Sequence, residues 1–253
     1  DTIREVTSMA SDAYSLEAAR SLKAPVPWLL VEDHRIEALN ANGKCVTYSS
    51  HPVLHVKGEG REALSRALDA WNKHEAQAAK KGFDFAYKCK NGDRQGGFLE
   101  EIAYFDYSVI TKWGRVDESM ISFCSFGAEF TGGIHPMHGE GGTTFDTRTG
   151  KEIDLAAIVT SREALLRALA TAFRTQYPNR EEELFSYDID KQLERIHPAE
   201  KGLDTFSWYM GTRGELVFLY PPYALAPYAS GDFTLTIERE DAPGLFTKAY
   251  PLK

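Results

Sequence analysis

The sequence is poor in cysteine, in positive charge and in long apolar runs. Its three cysteines, Cys45, Cys89 and Cys124, match no zinc-ligand spacing. They leave open one disulfide plus a free thiol, with Cys89–Cys124 the first pair to consider, or three free thiols. Lys and Arg number 29 against 37 Asp and Glu, a net charge of −8. There is therefore no basic stripe of the kind a nucleic-acid backbone requires. The acidic balance suits solubility, or steering toward a basic protein. No run of about 18 apolar residues offers a membrane-spanning helix, and no signal peptide is visible. The first residue is Asp1 rather than Met, which raises the expectation of a removed signal or lipoprotein leader, the membrane being met only through that N-terminal anchor.

What the sequence does have is a 43% hydrophobic, 12% aromatic composition, enough for a sizeable core. A helix is predicted from about residue 61 to 81, with Leu64, Leu68, Trp71 and Ala78 as its apolar stripe and Gly82 as its C-cap. Phe83 to Lys90 reads as a short strand, followed by a turn at Asn91-Gly92. Strands are expected over 36–48 with a turn at Asn42-Gly43, and over 52–57, 99–113 and 119–130. Residues 1–22 leave room for a short helix. Thr160 reads as an N-cap, with Glu163 completing a capping box. The helix it opens carries Leu165, Leu169 and Phe173 on one face. Residues 180–196 read as polar, helical or irregular. Strands follow over 206–210, 215–220 and 233–239, then a surface tail from Ala242. The prediction is an α+β fold, a mainly antiparallel sheet with two principal amphipathic helices packed on it.

The stretch from Gly127 to Leu155 concentrates glycines around His135, His138 and Glu140. Pro136 and the glycines forbid a helical HExxH zinc site. Two imidazoles and a carboxylate on a loop would still permit a metal-assisted or acid–base hydrolase, with Glu129 as an alternative acid. The simpler reading gives the glycines to positive φ and close backbone approach. Thr143 to Leu155 reads as a hairpin about Thr147–Gly150. No P-loop, dinucleotide fingerprint or GxSxG elbow is present, so no catalytic residue, cofactor or metal is assigned. The segment Leu219 to Gly231 is a stiff run of tyrosines and prolines, suited to recognition at low entropic cost.

Gly132-Gly133-Ile134-His135, then Thr144-Phe145-Asp146, Thr149-Gly150-Lys151 and Ile153-Asp154-Leu155, resembles the GGAH…tFDlkTGKxlxL signature of the DUF3298 family. Tyr220 to Gly231 resembles that family's PYEIAPYAxG element. The two motifs cover roughly residues 120–240, and residues 35–115 resemble the companion DUF4163-type region. The resemblance divides the chain into a DUF4163-like region, 1–115, and a DUF3298-like region, 116–253, forming one compact unit. It implies an extracytoplasmic bacterial domain, secreted or lipid-anchored at the cell envelope. Relatives include RsiV-type anti-sigma factors, whose external domain binds lysozyme, and proteins with an adjoining polysaccharide deacetylase domain. It does not extend to their catalytic, sigma-binding or membrane-spanning segments. The expected function is non-enzymatic binding of a basic protein such as lysozyme, or of cell-wall glycan. Tyr220, Pro221, Tyr223, Pro227 and Tyr228, with His135 and His138, are the candidate contacts. The alternatives are the hydrolase and a structural accessory lipoprotein.

Overall fold

The structure, a computed structural model, describes residues 1–12, 19–92 and 101–251. Among them are nine strands and three helices in an α+β arrangement. In chain order they are β1 (Thr2–Met9), β2 (Leu29–Leu39), β3 (Cys45–Val56), α1 (Glu62–Gly92), β4 (Tyr104–Val116), β5 (Met120–Phe130) and β6 (Met137–Asp146). Then come α2 (Arg162–Gln176), α3 (Ile189–Ile196), β7 (Trp208–Met210), β8 (Leu216–Tyr220) and β9 (Phe233–Ile237). Strands β1 to β6 form one sheet in sequence order, and β7-β8-β9 form a second. The pairings of β1 with β2, β2 with β3, β7 with β8 and β8 with β9 are antiparallel. Thr47–Ser50 of β3 pairs in parallel with Tyr104–Tyr107 of β4, because α1 intervenes as a crossover.

The chain divides into two compact units, Asp1–Lys112 with Ser125–His138, and Trp113–Cys124 with Gly139–Lys253. Strands β4, β5 and β6 each contribute to both. In the first unit, α1 buries Leu64, Leu68, Ala79, Phe83 and Ala86. Ala79, not Ala78, continues the stripe. The helix also runs through the segment expected as a strand. Phe83, Phe85 and Tyr87 alternate as in a strand, but the buried positions 79, 83, 86 and 90 follow helical spacing, and Phe85 is exposed. Gly82 is therefore not a cap. A Cβ there would lie 1.7 Å from Asp106 Oδ2, so the glycine lets helix and strand approach.

The main core of the second unit fully buries Leu165, Leu169 and Phe173 of α2, Leu193 of α3, Leu216 and Phe218 of β8 and Leu235 of β9. The N-cap of α2 is Ser161, which accepts from Ala164 N–H. Thr160 instead donates its hydroxyl to Gly244 O. Residues 180–196 form a third helix after a 3₁₀ turn, with Leu184, Ile189 and Leu193 in the core. The C-terminal segment also departs from a surface tail: Leu245 is buried, and Ala242, Phe246 and Tyr250 pack on the same core. At the N-terminus the chain forms strand β1 where a short helix was open; residues 13–18 lie outside the description. Cys45, Cys89 and Cys124 are free thiols, so the Cys89–Cys124 bridge is not formed.

Candidate functional site

The proline-tyrosine segment is built on a buried strand. All five residues of β8 are buried, and Pro221-Pro222 end it by removing two backbone donors. The chain then turns tightly: Ala224 N–H donates to Pro221 O and Tyr223 N–H to Ala226 O, at 3.0 and 3.1 Å. Leu225 and Ala226 point into the core at 0% and 1% exposure. Neighbouring segments clamp the turn, with Gln192 Nε2 donating to Ala224 O, Phe185 N–H to Leu225 O and an Arg180 guanidinium N–H to Ser230 O. A 3₁₀ turn at Tyr228–Ser230 follows Pro227.

This anchoring leaves a corner facing solvent. Tyr223 is 52% exposed and has φ +69°, a left-handed conformation that costs a non-glycine residue about 1–2 kcal/mol. Its ring lies 5.6 Å from that of Tyr228. Pro227 is exposed, and Pro221 and Tyr228 are half-buried. The structure thus brings Pro221, Tyr223, Pro227 and Tyr228 into one small surface.

Tyr220 does not belong to that surface. It is 5% exposed, and its hydroxyl lies 3.1 Å from His197 Nε2. His197 Nδ1 is 2.7 Å from Thr205 Oγ1, and its ring stacks on Phe206 at 3.6 Å. Burial, with the nearby Arg162 charge, pushes the His197 pKa down to about 4, so the neutral imidazole bridges the two hydroxyls. Burial also raises the Tyr220 pKa. Tyr220 is a core residue that ties β8 to the end of α3. The sequence reading overlooked His197. A lone histidine before Pro198 carries no periodic signal, and its partners Thr205 and Tyr220 lie 8 and 23 residues away.

The two histidines of the glycine-rich stretch part company. His135 is exposed in the loop before β6, with Nδ1 2.9 Å from Pro136 O. His138 is half-buried on β6 and stacks on Phe126 at 5.7 Å. It ends a row of rings in which Arg35 sits 3.9 Å above Tyr48 and Tyr48, Phe105, Tyr107 and Phe126 follow at centroid spacings of 5.4, 5.5 and 6.4 Å. These rings pack on one another, as cross-strand aromatics do. A shallow cleft of about 350 Å³ is lined by Asp106, Glu129, Met137 and His138, among others, and not by His135. Burial and the Glu129 charge raise the Asp106 pKa. Asp106 was invisible as a site residue because it sits inside a strand alternation.

Among the described residues no group of three or more His, Cys, Asp and Glu could hold a metal ion. The metal-assisted reading of His135, His138 and Glu140 therefore has no ligand set there. Residues 139–142 are not an open loop but part of β6. A Cβ on Gly142 would sit 1.8 Å from Trp208 O, so this glycine serves close backbone approach. The turn read at Thr147–Gly150 is present: Gly150 N–H donates to Asp146 O, and the Asp146 carboxylate accepts from the N–H groups of Arg148 and Thr149. Against the effect of burial, bonds to the carboxylate from the Arg148 and Tyr250 side chains and from the N–H groups of Thr149 and Arg148 hold the Asp146 pKa down at about 2.

No curated protein matches the sequence. Two crystal structures of DUF3298 family proteins are similar in fold. One, from Pseudomonas aeruginosa, has a TM-score of 0.53 at 17% identity, covering 89% of this chain and 96% of its own. The other, from Bacteroides fragilis, has a TM-score of 0.59 at 13% identity, covering 87% and 94%. Residues 156–240 match the family model of DUF3298, a protein of unknown function, and this stretch, which holds α2, α3, β7 to β9 and the proline-tyrosine corner, is a DUF3298 domain.

Proposed function

We propose that this protein is an extracytoplasmic, non-enzymatic binding protein of the bacterial envelope, secreted or lipid-anchored, that recognises a basic protein such as lysozyme. The observation that carries the reading is the pre-organised corner of Tyr223, Pro227 and Tyr228. Tyr223 is presented to solvent with the half-buried Tyr228 ring beside it, while Leu225 and Ala226 are locked in the core. Little conformational entropy remains to be lost there on binding, and tyrosine is a favoured contact residue. The net charge of −8 complements a basic partner and speeds encounter with it. The resemblance of residues 35–115 to DUF4163-type regions, and of the whole to the external domain of RsiV-type anti-sigma factors, points the same way. Cell-wall glycan is the other partner of this class.

Calorimetric titration with lysozyme tests the reading. The expected result is saturable heat and co-elution, both lost in a Tyr223→Ala, Tyr228→Ala double variant that retains its unfolding midpoint. Absence of heat and of co-elution removes lysozyme, and titration with soluble peptidoglycan fragments then decides the glycan reading.

A second reading rests on the raised pKa of Asp106 beside Glu129. Asp106, whose pKa is raised by burial and by the Glu129 charge, lines one cleft with Glu129 and His138, residue types that an acid–base hydrolase uses. Release of reducing sugar from peptidoglycan, abolished by Asp106→Asn, would establish it; no release by the unaltered protein would remove it.

A further inference from the structure

The free edge of β9 offers a distinct site. β9 is the last strand of the β7-β8-β9 sheet, and among the described residues its strand partner is β8. On its other side the main-chain groups of Thr234 and Thr236 are met by side chains from the end of α2. The Tyr177 hydroxyl donates to Thr234 O and accepts from Thr234 N–H, at 3.2 and 3.0 Å. Gln176 Nε2 donates to Thr236 O at 2.7 Å, while its Oε1 accepts from Thr236 N–H at 3.1 Å. Exchange of one donor and one acceptor with a single residue is the pattern of a hydrogen-bonded antiparallel strand pair. The glutamine carboxamide has the chemistry of a peptide group, so the edge already holds a mimic of a neighbouring strand.

The two plugs differ in how firmly they sit. The Tyr177 ring packs on Phe233 and Phe173 at 5.1 and 5.6 Å and stays. Gln176 is exposed in the last turn of α2 and can rotate away. Beside it runs a trough of about 670 Å³ between α2 and the end of β9, reaching Gly244 and Leu245. Its helical wall is mostly small side chains, Ala164, Ala168 and Thr171 among them, with Arg167 and Gln176 the large ones. The 15 residues of α2 span about 22 Å, the reach of about six or seven residues of extended chain.

We propose that this trough receives an extended peptide segment of a partner protein, whose main chain takes the place of the Gln176 carboxamide on Thr236. Two hydrogen bonds are exchanged for two, so displacement of the side chain costs little, and closure of the segment against the small-residue wall supplies the net gain. The same plug keeps the edge from pairing indiscriminately when no segment is present. Arg167 and Asp241 line the trough with opposite charges, so the segment is neutral and its binding is insensitive to salt. This site is independent of the tyrosine corner and of the partner assigned to it.

The test uses a blocked, fluorescein-labelled heptapeptide of alternating threonine and valine, followed by fluorescence anisotropy. The unaltered protein is expected to bind it saturably. Gln176→Ala, which removes the plug, should tighten binding about fivefold. Thr171→Arg, at an exposed position, should fill the trough and weaken binding at least about tenfold, with an unchanged circular dichroism spectrum. A peptide N-methylated at alternate residues should not bind. Failure of the Gln176→Ala protein to bind, equal binding of the N-methylated peptide, or indifference to Thr171→Arg would each overturn the proposal.

Discussion

The Pro221–Gly231 turn and the 131–136 loop both combine glycine or proline with large side chains, yet they make opposite surfaces. The turn sends Leu225 and Ala226 into the core and projects Tyr223 from a fixed backbone. The loop has no buried residue: Thr131 and Gly132 are half-buried, and Gly133 to Pro136 are exposed, Ile134 entirely. Rigidity in a surface segment thus comes from what it buries, not from its proline content. For recognition, the turn carries an ordering cost already met in folding, while the loop would meet it on binding.

The largest effect that bears on this contrast is expected from the anchor. Leu225→Ala should cost about 2–5 kcal/mol of unfolding free energy and abolish any binding by the corner. Ile134→Ser should change stability by less than about 0.5 kcal/mol. Urea unfolding of the two variants reads both, and equal costs would break the comparison.

Acid comes next. His197 has a folded-state pKa of about 4, well below its ordinary value of 6.5. His51, buried and facing His34, is likewise lowered to about 4. The unfolded chain therefore binds more protons between these values. Stability is full above about pH 6.5 and declines as pH falls toward 4, by on the order of 3 kcal/mol per histidine. The lowered carboxylate of Glu37 adds to the loss from about pH 4.5 downward and that of Asp146 from about pH 3.8, while the raised carboxyls of Asp33 and Asp106 oppose it. Denaturant titrations at pH 7 and pH 4.5 should show the loss, and His197→Gln should reduce it. An unchanged slope in that variant would mean His197 is not the buried neutral group.

Within β6 a smaller contrast separates adjacent glycines. Gly142→Ala, driven against Trp208 O, should cost about 1–3 kcal/mol. Gly141→Ala meets nothing within 4 Å and should be nearly neutral. Thermal unfolding distinguishes them. The smallest effect belongs to Tyr223→Gly, which relieves the positive φ and should raise stability by up to about 1 kcal/mol while weakening lysozyme binding. Stability and binding that fall together would show that the ring packs rather than presents itself.

Much of this was readable along the chain. The alternation of Phe233, Leu235 and Ile237 and the spacing of Leu165, Leu169 and Phe173 report a strand and a helix, because each element buries one face with a fixed period. The turns at Asn42-Gly43 and Thr147–Gly150, and the stiff proline-tyrosine turn after Tyr220, follow from backbone chemistry confined to a few residues. Three-dimensional packing decided the rest. It made Phe83 to Gly92 part of a helix, because Ala79, Phe83 and Ala86 had a sheet to bury against. It withdrew Tyr220 from the solvent-facing corner through His197, and it parted His135 from His138 by running β6 through the glycines. It also set Gln176 against Thr236, 60 residues away. None of these pairings has a local signature, since a side chain's partner across the core is chosen by topology and not by its neighbours in the chain.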